Sequence, residues 1–274
     1  MTISVLLPSR GRPASLCRAV SSLAFGDVEI IVGLDSDDPT AGEAWRGIAH
    51  LPFVKVITTG RHETTAQLFN FLQGKATGDW FVPFPDDYTV DDPNWAEVLH
   101  STVASLPASL GVAYLHDPMY PYFATFPCVS RKLVEMQGFF LPPFFPFLYG
   151  DTWMNEIGVL SGLILRCDAS VSIQRETGGI HNFRNMRLWA NMFHKTRPLR
   201  TELAVKMIQA AFGDTEQASY MISTIGERSL LCEELQGPQM TEAFFQKWDN
   251  VGDGFPHPAY LALEAKAQAF MELQ

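Results

Sequence analysis

Short runs of mainly apolar residues alternate with helical patterns through the N-terminal part of the chain. The apolar runs are residues 3–7, 28–34, 54–58 and 80–84. Each ends at polar or turn-forming residues, which predicts strands, while residues 13–23 and 63–74 have the periodicity of helices. Strands that are apolar along their whole length and alternate with helices are typical of a parallel sheet covered on both faces. The pattern therefore predicts an α/β fold.

The pattern changes in the second half of the chain. Further strands are predicted at residues 112–115, 126–130 and 169–174. The segment 138–150 is rich in aromatic residues and contains three prolines, which excludes a regular helix or a central strand. It could pack internally, cover an acceptor site or form a partner surface, and we favour packing in the core. From residue 186 onward helical periodicity dominates.

Composition and charge exclude several classes of protein. With 47% hydrophobic and 18% charged residues, a chain of 274 residues can bury the core of one large domain or two smaller ones. The net charge of -10 argues against broad, nonspecific adhesion to nucleic acid or anionic membranes. The four cysteines include no CxxC pair, so neither a zinc knuckle nor a disulfide framework is indicated. The first apolar run is too short for a signal peptide or a membrane span, so we expect a cytoplasmic protein without an integral membrane segment.

Charged and hydroxyl side chains follow three of the predicted strands. They are Ser9, Arg10 and Arg12 after the first strand, Asp35, Asp37 and Asp38 after the second, and Asp86 and Asp87 after the fourth. In an open α/β sheet, ligands bind beyond the carboxyl ends of the strands. Carboxylates there suit a divalent cation that bridges to a diphosphate, because Mg²⁺ and Mn²⁺ favour oxygen ligands. Such residues also form caps and turns, so it is the occurrence of two acidic clusters together that favours a binding site.

These segments resemble family 2 inverting glycosyltransferases of the GT-A fold. The matching pieces are residues 4–12, 29–38, 75–80 and 84–87, together with Asn70, in the same order and spacing. The resemblance implies a Rossmann-like GT-A catalytic domain over residues 1–185, with a mainly parallel sheet and helices on both faces. Its nucleotide-sugar half would span residues 1–115 and its acceptor half residues 116–185, and a helical C-terminal region would follow over residues 186–274.

The resemblance also implies roles for individual residues. The implied substrate-binding residues are Pro8, Ser9, Arg10, Arg12, Asp35, Asp37, Arg61, Asp86 and Arg184, and the implied metal ligands are Asp87 and His181. Residues after the first strand would line the nucleotide pocket, and those after the second would contact the nucleobase or ribose. The sequence departs from the family at Phe84, where many members have the first Asp of a DxDD motif.

The segment from Gly150 to Trp153 resembles the region in which inverting members place their catalytic base. Inversion requires a carboxylate that removes the proton of the acceptor hydroxyl as its oxygen attacks. Asp151 is the candidate base, with Glu156 in reserve, and Asp151 could also cap the helix predicted after it. His116 and Asp117 are weaker candidates for lining the acceptor side.

The resemblance thus predicts a hexosyltransferase-like enzyme that moves a sugar from a nucleoside diphosphate sugar, with UDP-sugars among the candidates, using Mn²⁺ or Mg²⁺. The acceptor could be a saccharide, a lipid-linked glycan, a protein or a modified nucleic acid base. A sugar nucleotidyltransferase is disfavoured, because only one glycine, Gly11, follows the first strand. A binding module that has lost the metal site is the other alternative, supported by Phe84. The C-terminal helices could cover the acceptor side or mediate homodimerisation.

Overall fold

A computed structural model describes residues 1–24, 26–60, 64–146, 148–174, 185–248 and 258–272. The strands in these ranges are β1 (Ile3–Ser9), β2 (Glu29–Asp35), β3 (Val54–Thr59), β4 (Trp80–Pro83), β5 (Tyr88–Val90), β6 (Val112–His116), β7 (Pro127–Ser130) and β8 (Ile164–Ile173). The helices are α1 (Pro13–Leu23), α2 (Ala41–Ile48), α3 (Thr65–Gln73), α4 (Trp95–Ala104), α5 (Arg131–Gln137), α6 (Gly150–Ser161), α7 (Met186–Lys195), α8 (Arg197–Phe212), α9 (Glu216–Ser223), α10 (Ile225–Gln236), α11 (Glu242–Trp248) and α12 (Pro258–Glu272).

The strands form one sheet in the order β3-β2-β1-β4-β7-β6-β8-β5. Strand β1 pairs in parallel with β2 and β4, and β2 pairs in parallel with β3. Strand β7 runs antiparallel between β4 and β6, β8 is parallel to β6, and β5 is antiparallel to β8. The predicted α/β fold with a mainly parallel sheet is confirmed.

The parallel half of the sheet is covered on both faces. All five residues from Ile3 to Leu7 are buried, and consecutive strand residues point to opposite faces. On one face, α3 packs closely against β2 at Gly33. Any side chain there would begin with a Cβ only 3.0 Å from Leu72 Cδ2, so glycine allows the close approach. Burial on both faces thus explains why the parallel strands are mainly apolar in sequence and do not alternate between apolar and polar residues.

The aromatic segment between α5 and α6 packs in the core, as favoured from the sequence. Phe140 and Phe145 are buried, and the Phe140 ring meets Phe81 edge-on with centroids 5.9 Å apart. Asn70 of α3 fixes the start of the segment: its Oδ1 accepts from Phe140 N at 2.6 Å, and its Nδ2 donates to Leu141 O at 2.7 Å. Asn70, one of the residues that carry the family resemblance, therefore has a structural role in joining α3 to the aromatic segment.

The C-terminal helical extension predicted from residue 186 is confirmed, and α8 packs directly against α6. Between them, the buried Glu156 carboxylate lies 2.8 Å from Arg197 Nε and 3.0 Å from Arg200 Nε. Gln236 of α10 donates to the same carboxylate at 2.6 Å. Glu156, the reserve candidate for the catalytic base, is therefore part of a buried ion-pair network, which argues against a role in proton transfer with a substrate.

Candidate functional site

The carboxyl ends of β2, β1 and β4 lie side by side in the sheet, so the loops after them share one edge. The side chains gathered there are Ser9, Arg10 and Arg12 after β1, Asp35, Asp37 and Asp38 at the end of β2 and beyond it, and Asp86 and Asp87 after β4. The loop after the central strand β1 contacts both acidic clusters. The sequence prediction that these residues converge is thus matched by the geometry, on the edge where ligands bind in open α/β sheets.

Arg12 bridges the two carboxylates that follow β4. Its Nη2 lies 2.5 Å from Asp86 Oδ1, and its Nη1 lies 3.2 Å from Asp87 Oδ2. The Ser9 hydroxyl donates to the other oxygen of Asp86 at 2.6 Å. The Asp86 side chain is only 1% exposed, whereas that of Asp87 is 30% exposed. Asp86 is therefore a buried anchor of the loop, and Asp87 is the carboxylate that faces solvent.

Burial has the largest effect on the pKa of Asp86. Desolvation raises the pKa of this carboxyl above its ordinary value, and the Ser9 hydrogen bond and the Arg12 charge oppose the rise without cancelling it. The Arg12 contact is an ion pair without an aligned hydrogen bond, since Asp86 Oδ1 has no hydrogen-bond partner among the described residues. Loss of the Arg12 charge would thus leave a buried carboxylate that is supported by hydrogen bonds from the Ser9 hydroxyl and the backbone but has no counter-charge from Arg12.

Arg10 forms a second bridge, to the cluster after β2. Its Nη1 lies 3.0 Å from Asp35 Oδ2 and 2.5 Å from Asp37 Oδ1. Thr59, at the end of β3, donates to the other oxygen of Asp35 at 3.0 Å. No motif marks Thr59 in the sequence, although its position opposite Asp35 in the β2–β3 register identifies it once the strands are aligned.

Asp38 shapes the β1 loop rather than facing a ligand. Its carboxylate is buried and accepts from Gly11 N at 2.8 Å and from Thr40 N at 2.9 Å. Burial alone would raise the pKa of Asp38, but these hydrogen bonds bring it below its ordinary value. Gly11 has φ of +72°, a left-handed conformation that glycine adopts without strain, so the tether and the glycine together define the turn between Arg10 and Arg12.

Phe84 explains the departure from the DxDD pattern. Its side chain is fully buried and packs against Phe126 with ring centroids 5.5 Å apart. The position where many family members carry a metal-site Asp therefore belongs to the core in this chain. Among the described residues, no three His, Cys, Asp or Glu side chains converge to hold a metal ion. Of the predicted site residues, Arg61, His181 and Arg184 lie outside the described residues.

Asp151 lies in the first turn of α6, so the helix begins before the predicted candidate base rather than after it. Its Oδ1 accepts from Thr152 N at 2.7 Å. Desolvation raises the pKa of the Asp151 carboxyl above its ordinary value, against the opposing hydrogen bonds from Thr152. The preceding Tyr149 is left-handed, with φ of 72°, and its ring stacks on Phe193. Burial thus raises the pKa of a carboxyl on a helix end that aromatic packing holds, a feature that general bases share with buried structural carboxyls.

Tyr88 belongs to the surroundings of Asp87, and no sequence motif marks it. It follows Asp87 directly, and its ring packs on Phe126 with centroids 4.7 Å apart. Burial and, to a smaller extent, the nearby carboxylates of Asp117 and Asp87 together raise the pKa of the Tyr88 hydroxyl to about 12. Asp117 itself is buried, and its Oδ2 has no hydrogen-bond partner among the described residues. The loop after β6 therefore lies close to the β4 end of the site.

Comparison with known proteins places this geometry in a known fold. No protein-family model and no curated protein sequence matches the chain. The mannosyltransferase PcManGT from Pyrobaculum calidifontis, solved in complex with GDP-Man and Mn²⁺, is similar with a TM-score of 0.56 and 13% sequence identity, over 89% of this chain and 84% of that one. The S. aureus protein TarS, residues 1–349, solved with UDP-GlcNAc, gives a TM-score of 0.54 and 12% identity, over 88% and 78% of the two chains.

The same fragment of TarS in complex with UDP is also similar, with a TM-score of 0.54 and 12% identity over 84% of this chain and 72% of that one. No helix in the described parts of the chain combines the length and apolar character needed to cross a bilayer. At these low identities the similarity establishes architecture rather than chemistry. The chain has the GT-A fold of nucleotide-sugar glycosyltransferases.

Proposed function

We propose that the protein is an inverting glycosyltransferase that moves a sugar from a nucleoside diphosphate sugar to a hydroxyl acceptor. The observation that carries this proposal is the convergence of the β1, β2 and β4 loops, where Arg10 and Arg12 join two acidic clusters at one sheet edge. Two arginines can hold a diphosphate through charge-assisted hydrogen bonds. Asp35 and Asp37 lie beside Arg10 and suit the hydroxyls of a ribose.

A divalent cation, Mn²⁺ or Mg²⁺, is part of the proposal. The residues fit such an ion, because Asp87 offers a solvent-facing carboxylate next to Asp86, and Mg²⁺ in nucleotide sites uses one or two carboxylates together with substrate phosphates. A dedicated cage of three protein ligands is not needed for that mode of binding. His181 remains a proposed additional ligand. When bound, the cation supplies positive charge to the departing diphosphate.

In the reaction we propose, Asp151 accepts the proton of the acceptor hydroxyl while that oxygen attacks the anomeric carbon of the donor. The bond from this carbon to the diphosphate breaks as the new one forms, so the configuration inverts. Arg12 and Arg10 stabilise the charge that develops on the diphosphate, as preorganised donors do. The raised pKa of Asp151 supports its role, because a base works best when its pKa lies near the working pH.

Thermal-shift measurements with UDP, GDP and a panel of their sugar conjugates, each with and without Mn²⁺, test the donor site. We expect at least one nucleotide to raise the melting temperature, and Mn²⁺ to increase that shift. The Asp87→Asn variant is expected to lose the Mn²⁺-dependent part, because an amide is a much weaker ligand for a hard cation than a carboxylate.

The control for this test is Asp168→Asn, which removes a carboxylate that is 83% exposed and contacts Arg166. This variant should keep the full shift. A complete Mn²⁺-dependent shift in Asp87→Asn would contradict the site, and the absence of any nucleotide-dependent shift in the wild type would contradict the proposed function.

A non-enzymatic nucleotide-sugar-binding module is the second candidate, and the burial of Phe84 favours it. Both functions predict nucleotide binding, so turnover separates them. Release of UDP or GDP from the best-binding conjugate during a Mn²⁺ titration is expected for the transferase. Nucleotide binding without any release of UDP or GDP, measured with a panel of saccharide, lipid-linked glycan, protein and nucleic acid acceptors, would favour the binding module.

A further inference from the structure

We propose that Arg12 is an exchangeable counter-ion: without donor it bridges Asp86 and Asp87, and on donor binding it keeps Asp86 and transfers its second contact from Asp87 to the diphosphate. This inference rests on the proposed function for the identity of the anion. It assigns Arg12 a role beyond lining the nucleotide pocket, because the same side chain then controls when Asp87 is available to a cation.

The two contacts of Arg12 differ in the way that the exchange requires. The contact with Asp86 is short, at 2.5 Å, and its carboxylate is almost wholly buried and held by Ser9. The contact with Asp87 is longer, at 3.2 Å, and both side chains are partly exposed, at 22% and 30%. Breaking the first would leave a buried charge unpaired, which is costly, whereas an exposed ion pair contributes little. The Asp87 contact is therefore the one that can be released.

The planar guanidinium presents a different terminal nitrogen to each carboxylate: Nη2 forms the ion pair with Asp86, and Nη1 donates to Asp87. With Nη2 held on Asp86, Nη1 is positioned at the solvent side of the site, where it faces Asp87 in the free chain. A diphosphate carries more negative charge than one carboxylate and accepts charge-assisted hydrogen bonds, so it competes effectively for Nη1. Release of Asp87 then frees a carboxylate for a cation, so donor and cation binding should favour each other through Arg12.

Two substitutions separate the effect of the bridge from the effect of net charge. Arg12→Lys keeps the positive charge but loses the second nitrogen group of the guanidinium. Its single ammonium should therefore stay with the buried Asp86 and leave Asp87 free. Arg10→Gln loses a charge at the neighbouring cluster but leaves the Arg12 bridge intact. Mn²⁺ binding to the donor-free protein, measured by calorimetry or electron paramagnetic resonance, then reports directly on Asp87.

We expect Arg12→Lys to bind Mn²⁺ about two- to fivefold more tightly than the wild type, the scale of an exposed ion pair. Arg10→Gln should change this affinity less. UDP and GDP in EDTA should bind Arg12→Lys at least about tenfold more weakly than the wild type, since a charge-assisted contact to phosphate is lost. The exchange therefore predicts that Arg12→Lys changes the two affinities in opposite directions, with Mn²⁺ bound more tightly and the nucleotide more weakly.

Mn²⁺ binding by Arg12→Lys that is no tighter than binding by the wild type, including no binding by either protein, would overturn the exchange. If the Lys variant does not fold, as judged by circular dichroism, the double variant Arg12→Gln/Asp86→Asn serves instead, because it removes the buried charge together with its partner, and the same tightening relative to the wild type is required. Failure of the proposed function is distinguishable, because it would appear as no UDP or GDP binding by the wild type, while Mn²⁺ binding still tests the bridge between Arg12 and Asp87.

Discussion

Replacement of Asp151 by asparagine is expected to lower the rate of sugar transfer about 100-fold or more while the donor still binds. The amide cannot accept the proton of the acceptor hydroxyl, so the attacking oxygen keeps its proton in the transition state. The fold should survive, because asparagine Oδ1 can accept the hydrogen bond from Thr152 N that Asp151 accepts. Rate and donor affinity should therefore separate in this variant.

The measurement is release of the nucleoside diphosphate from the best-binding conjugate, with the acceptor that supports the fastest release. Donor affinity is determined in parallel by thermal shift. Asp168→Asn provides the control, since it removes an exposed carboxylate that contacts Arg166. Full turnover in Asp151→Asn, or an equal loss in Asp168→Asn, would reduce Asp151 to a residue of the helix terminus.

The pKa of Asp151 adds a pH dependence with a defined sign. The base must be ionised, so the transfer rate should fall as pH is lowered through the pKa that burial has raised. The folded chain also holds this proton more tightly than the unfolded chain, so stability declines as pH rises between the unfolded and the folded pKa. At neutral pH, Asp151→Asn should therefore be at least as stable as the wild type, as expected where a functional group costs stability.

Strands β1, β2 and β4 were predictable because each is a mainly apolar run that is buried along nearly its whole length. Helix α1 was predicted with its observed bounds, since Pro13 begins its first turn and Leu23 ends its buried face. Helix α2 was missed: it is short and contains two glycines, so burial of Ala44 and Ile48 rather than helix propensity holds it in place. Strand β5, with three residues, is too short for any periodicity to show.

The site was predictable where its residues follow strand ends and not where contacts between distant residues decide. The edge shared by the β1, β2 and β4 loops follows from topology alone. The sequence could not show that Arg12 joins Asp86 to Asp87, because 75 residues separate Arg12 from Asp87. Glu156 was likewise a reserve candidate for the base, because spacing along the chain does not reveal the two arginines of α8 that pair with it.

Replacement of Arg200 by methionine is expected to destabilise the protein by about 3–5 kcal/mol, because it breaks a buried ion pair from one side. Arg200 is fully buried, and its guanidinium lies 3.9 Å from the Phe193 ring centroid and 3.0 Å by Nε from Glu156. Its Nη2 also donates to Phe193 O at 2.7 Å. Burial lowers the pKa of Arg200 to about 10, which Glu156 opposes, so the side chain stays charged at neutral pH and its loss leaves Glu156 less compensated.

Urea unfolding at neutral pH measures this loss, and a double-mutant cycle with Glu156→Gln isolates the pair. The double variant should be less destabilised than the sum of the two single variants, by about 0.5–3 kcal/mol, because residues in one network couple. Lys206→Met on the same helix is the control: it removes an exposed ion pair with Glu202 and should cost less than about 1 kcal/mol. Since Glu156 lies on α6, whose first turn contains Asp151, a coupled loss would show that the ion pair fastens this helix to α8, whereas additive losses would mean that Arg200 acts through packing alone.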